Sequence, residues 1–255
     1  MITDEIVPAD HSGGATTSHT VVIPALTVLL DSVQPDGTAP DYEYAVLEQN
    51  LLGKGTTGSR KRTFRYLREL YLLRSDSLLF RALRDLWRDD PHGQPLLAGL
   101  CALARDPVFR ASAPAILAAN PGDRVVSADL AEAVGQQFPA AYNESTLAKI
   151  GRNTLASWDQ TGHLETVART TKVRQRPVPS PAALAFGLLL GHLEGVRGEA
   201  LFETLWARVL DLSRRQLIDL ATIASQRSLI DFRHSGGVTV VGFTQLLRPM
   251  EGRML

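Results

Sequence analysis

The stretch "NESTLAKIGRNTLASWDQTGHLETVARTTKVRQRPV", residues 143–178, changes its periodicity half-way along. In its first half Leu147, Ile150, Leu155 and Trp158 fall on one face at helical spacing, and Gly162 is a natural left-handed residue to end the helix. From Leu164 onward the pattern predicts two short strands around a polar turn. Upstream, "VVSADLAEAVGQQFP" (Val125–Pro139) predicts a short strand and then a helix capped by Ser127. Helix, helix, hairpin is the order of a winged helix-turn-helix, although the connector "GQQFPAAYNES" is longer than the tight turn of a simple one.

A similar order returns near the C-terminus. A helix is expected over Glu199–Leu210, and a second follows the S-x-x-Q capping box of Ser213 and Gln216. A hairpin is then expected in "LIDFRHSGGVTVVGF", with Ser-Gly-Gly at its turn. Further helices are expected over Asp41–Leu52, Arg60–Arg74 (capped by Ser59), Ser77–Arg88, Leu96–Ala104, Pro107–Ala119 and Ala182–Gly195. Residues 21–33 form a strand or short helix, and "PVPSP" (Pro177–Pro181) is expected to be a linker. The expected fold is therefore mainly α: a helical bundle with one or two winged helix-turn-helix-like units whose wings are short β-hairpins. It divides into a mobile acidic arm (1–40), a helical domain with a basic helix (41–120), a winged-helix-like unit (121–178) and a C-terminal helical or winged unit (179–255).

The 255 residues are 44% hydrophobic and 21% charged, a globular composition large enough for a sizeable core. The single cysteine, Cys101, lies in an apolar run and is expected to be a small buried hydrophobe. The lack of a disulfide framework suits a reducing cytosol. The longest apolar stretch, Pro181–Leu193, is short of the roughly 20 residues a membrane span needs, so a cytoplasmic protein without a membrane partner is expected.

Formal net charge is zero, but its distribution is uneven. Residues 1–50 hold eight acids and no Lys or Arg; residues 54–88 hold ten basic side chains and three acids. The basic region begins "NLLGKGTTGSRKRTFRYLRELYLLR" (Asn50–Arg74). As a phosphate-binding P-loop it fails: counting from Gly53 and Gly58, Ser59 stands where lysine is required and Arg60 where Ser or Thr is required. As a helix it places Lys61, Arg65 and Arg68 on one face, with Phe64, Leu67 and Tyr71 turned inward. Ser59, Thr57 and Lys54 would add donors near the helix N-terminus. The alternative is a solvated face whose arginines pair with the protein's own acids, the N-terminal arm included.

In the helix of residues 145–160, Thr146, Lys149, Arg152 and Asn153 lie opposite the apolar face, a set suited to base edges in a major groove. Arg169, Lys172, Arg174 and Arg176 would make the hairpin a basic wing that grips phosphates. The sequence has no G-x-S-x-G elbow and no H-E-x-x-H, and its six histidines are scattered. No catalytic residue, metal ligand or cofactor is expected.

Three segments together resemble the BrxA family of bacterial BREX phage-defence systems: "NLLGKGTTGSRKRTFRYLRELYLLR", "LLAGLCALARDPVFRASAPAIL" and "NESTLAKIGRNTLASWDQTGHLE". The likeness spans about Tyr44–Leu164. It implies a mostly helical, non-catalytic DNA-binding component. Its implied partners are double-stranded DNA and other BREX proteins: a methyltransferase, an ATPase and a phosphatase-like subunit. A protein–protein adaptor and a local transcription regulator are the competing expectations.

Overall fold

A computed structural model describes residues 5–88, 90–168 and 171–248. The described chain is mainly helical, with two small antiparallel sheets. Helices α1 (Ile23–Ser32), α2 (Ala39–Leu47), α3 (Thr57–Tyr71), α4 (Leu78–Leu86) and α5 (Gln94–Arg105) form the first part. Residues 21–33 thus resolve as helix, started by Pro24 in its first turn. The single helix expected over 107–119 is two, α6 (Pro107–Ala111) and α7 (Ala113–Ala118), broken at Ser112.

Strand β1 (Arg124–Val125), helices α8 (Ser127–Gln137) and α9 (Glu144–Gln160), and strands β2 (Leu164–Ala168) and β3 (Thr171–Arg174) follow. The sheet order is β1-β3-β2, with Arg124 opposite Val173 and Leu164 opposite Arg174. The cap of α8 is not Ser127. Val126 precedes the helix, and its N–H donates to the Asp129 carboxylate at 2.9 Å. α8 and α9 pack so closely at Gly151 that a Cβ there would lie 2.1 Å from the Ser127 carbonyl oxygen. Trp158 on α9 is fully buried against Phe109, with its indole N–H donating to Ser112 Oγ at 2.8 Å.

The last part comprises α10 (Pro181–Leu193), α11 (Leu205–Arg208), α12 (Arg214–Gln226), β4 (Asp231–Ser235) and β5 (Val238–Gly242). The helix expected over 199–210 is instead a 3-10 segment, Gly198–Glu203, and the one-turn α11. The hairpin turn is as expected, with Gly236 and Gly237 both at positive φ, as its two central positions require. The Ser213–Gln216 capping box is formed.

α10 is buried nearly all round and packs on α4, α5, α11 and α12. A helix apolar on every face belongs at the centre of a core. The expected linker is therefore a docking point: Pro177 and Ser180 are buried, and Ser180 Oγ caps α10 through the Ala183 N–H. One cluster of buried side chains runs from Ile6 to Leu246, and Val108, Val134, Phe138 and Ile150 form a second, smaller one. The four-part division does not correspond to four cores.

The N-terminal arm is not a loose tail over its described residues. The Glu5 carboxylate accepts from Ser77 Oγ and from the Leu78 and Leu79 N–H groups, covering the start of α4. Val7 N–H bonds the Ala104 carbonyl, and Ile6, Ala15 and Thr16 are buried. The expected mobility of this acidic arm follows from its terminal position. Specific hydrogen bonds from distant helices, invisible to local pattern, hold it instead.

Candidate nucleic-acid interface

Helix α3 begins one turn earlier than Ser59. Thr56 is the N-cap: its Oγ1 accepts the Ser59 N–H at 3.1 Å, while Ser59 Oγ accepts the Thr56 N–H. Thr57 is exposed, and Lys54 is half-buried in the loop, its N–H held by Asn50. Inward, the helix buries Thr63, Phe64, Tyr66, Leu67, Leu70 and Tyr71. That spacing leaves Lys61, Arg62, Arg65 and Arg68 in solvent. Arg65 lies over the Tyr66 ring at 5.1 Å and Arg68 over the Phe64 ring at 5.8 Å.

Among the described residues, no carboxylate lies within ion-pair distance of these four cations. Glu69, half-buried on the same helix, is coupled electrostatically to Arg65. Burial raises the Glu69 pKa, and Arg65 and Arg105 partly offset that. Three of the eight acids of the first 50 residues are held elsewhere: Glu5 at α4, Asp31 on the Trp87 indole N–H, and Asp41 in the capping box of α2. Arg60 does not belong to the free set. It is half-buried and donates to the Leu47 carbonyl at 2.5 Å. Arg62 was missed by reading only the spacing of 61, 65 and 68, yet it sits one turn before Arg65 and shares its exposure.

On α9 the Asn143 side chain caps the Thr146 N–H at 2.9 Å. Thr146 is half-buried, while Lys149 and Arg152 are exposed and without an ion pair among the described residues. Asn153 is committed inward: its Nδ2 donates to the Thr16 carbonyl at 2.9 Å.

The basic wing is largely neutralised. Lys172 Nζ lies 2.7 Å from Asp159 Oδ2 and also meets Thr166 Oγ1. The Arg174 side chain is 2% exposed. Its Nε donates to the Ile116 carbonyl and its Nη2 to Asp211 Oδ2 at 2.9 Å, so it is a core arginine. Arg176 is 68% exposed and 4.0 Å from Asp211. Arg169 lies outside the described residues. The misreading came from counting cations on a hairpin: β3 alternates faces, and register turns Arg174 into the body beside Asp211.

The remaining polar centres are structural. His163 is fully buried between Thr161 Oγ1 and the Val209 carbonyl, and burial drives its pKa down to about 3. Cys101 is buried, its thiol pushed up to about 12 by burial. Among the described residues no group of His, Cys, Asp and Glu could hold a metal ion. No described helix is long and apolar enough to cross a membrane.

No protein-family model matches the chain, and no curated protein is similar to it. The resemblance to the BrxA family rests on the quoted residues alone.

Proposed function

We propose that this chain is a non-catalytic component of a bacterial BREX-type phage-defence system and binds duplex DNA mainly through phosphates. The observation that carries the reading is that Lys61, Arg62, Arg65 and Arg68, on one exposed face of α3, have no carboxylate within ion-pair distance among the described residues. Isolated cations in a neutral chain with equal numbers of acids leave a local field for a polyanion. Lys149 and Arg152 on α9 extend the set to six. The order α7, β1, α8, α9, β2, β3, with β1 paired to β3, supports a winged helix-turn-helix reading. In it α9 is the groove-facing helix and the hairpin contributes shape more than charge.

The test is a gel-shift titration across salt on random and promoter duplexes. Six neutralised phosphates give a log–log slope of about −5.4. A slope near zero refutes the reading, and strong preference for the promoter fragment identifies a transcription regulator. The adaptor alternative draws on one observation: Val238 and Val240 are 64% and 55% exposed on one face of the C-terminal hairpin. Retained partner pull-down without DNA retention favours it.

A further inference from the structure

Residues 12–23 contain no Lys or Arg, yet they touch both cationic helices. The decisive group is one residue. Val21 N–H donates to Ser157 Oγ of α9 at 3.1 Å, and the Val21 carbonyl accepts from Tyr71 Oη of α3 at 2.6 Å. Val21, Ser157 and Tyr71 are all buried. On either side the contacts repeat. Ile23 N–H donates to Gln160 Oε1 at 3.0 Å, and Gln160 Nε2 to Thr20 Oγ1 at 3.1 Å. His19 packs its ring against Tyr66 of α3 at 5.0 Å.

The segment is pinned from behind as well. The buried Asp106 carboxylate accepts the Thr16 N–H at 2.8 Å and the Thr16 hydroxyl at 3.0 Å. At Gly14 a Cβ would fall 2.3 Å from Asp106 Oδ1, so the backbone there lies directly on the carboxylate. Side chains from α3, from α9 and from Asp106 at the N-cap of α6 thus converge on one short run of backbone.

We infer that residues 12–23 are a positioning strap: they fix the separation of α3 and α9 so that both sets of cations meet phosphates of one duplex. Tyr71, Ser157 and Gln160 are positioning residues, acting through the strap and not on DNA. This rests on the DNA-binding reading above. The physical basis is simultaneous engagement. Two contact elements held at a matched span act as one linked ligand, and slack between them forfeits the second set of contacts.

The experiment compares wild type with Ser157→Ala/Gln160→Ala in the full chain, by salt titration on a random 20-bp duplex and by thermal unfolding. The folded variant is expected to show a slope of about −3.6, the share of the four α3 cations, in place of about −5.4. Adding Lys149→Ala/Arg152→Ala to it should then change the slope no further, because the strap variant has already lost those contacts. A merely structural role lowers stability and leaves the slope alone. A folded variant with the wild-type slope overturns the strap while leaving the DNA reading intact. So does a Lys149/Arg152 substitution that still subtracts its full share. A wild-type protein with no salt-dependent binding overturns the DNA reading and the strap with it. Should the double variant not fold, Gln160→Ala alone keeps the Ser157–Val21 bond, and its slope must still move toward −3.6 for the inference to stand.

Discussion

Replacing Arg65 and Arg68 by alanine removes two unpaired cations and little else. Both are exposed on α3, and each lies over a ring of its own helix with no ion pair among the described residues. Alanine is the strongest helix former, so α3 persists, and each lost ring contact at an exposed site costs about 0.5–1 kcal/mol. The effect on DNA is larger. With six cations engaged, affinity falls about 1,800-fold between roughly 50 and 200 mM salt; with four it falls about 150-fold. The slope therefore moves from about −5.4 to about −3.6 while the fold stays intact. Fluorescence anisotropy on a labelled random duplex, at five or more salt concentrations, measures it. Lys172→Ala is the internal control: its amine already sits 2.7 Å from Asp159, so it should leave the slope unchanged. If the arginine double variant keeps the wild-type slope, or Lys172→Ala shifts it equally, exposure and pairing do not select the DNA contacts and the reasoning is wrong.

Two further predictions concern stability. Asp106 is fully buried, and desolvation raises its pKa from 3.8 to about 6, against hydrogen bonds from Phe109 and Thr16 that lower it. A carboxyl raised on folding binds its proton more tightly in the native state, so its contribution is greatest below the unfolded pKa and is lost as pH rises through the folded one. The penalty of Asp106→Asn in urea unfolding should thus shrink by about 2 kcal/mol between pH 4 and 6.5; growth over that interval would mean the donors outweigh burial. Asp211→Asn removes the charge opposite the buried Arg174 while keeping a residue that tolerates the positive φ of 53° found there. It should cost about 2–3 kcal/mol, less than a fully buried pair because Asp211 is partly exposed, and a loss under about 0.5 kcal/mol would show that carbonyls alone satisfy Arg174.

What could be read in advance was local. The inward face of α3, the Ser213 box, the Gly162 terminus and the Ser-Gly-Gly hairpin turn all follow from spacing and backbone preference within a few residues. The basic run of α3 was legible for the same reason: helical period decides which of its side chains are buried, and the cations fall on the other face. Long-range partnership was not legible. Nothing near Arg174 announces Asp211, nothing near Asn153 announces the carbonyl of Thr16, and no periodicity in residues 5–23 predicts bonds to Ser77, Asp106, Tyr71 and Ser157.

Sequence by itself determined the helical character, the helix–helix–hairpin order and the uneven charge, because each is set by neighbours along the chain. Tertiary structure alone decided which cations remain free and whether the N-terminal segment is loose or held. Those depend on which carboxylates and carbonyls arrive from other elements of the fold, and a charge met by such a group is no longer available to a phosphate.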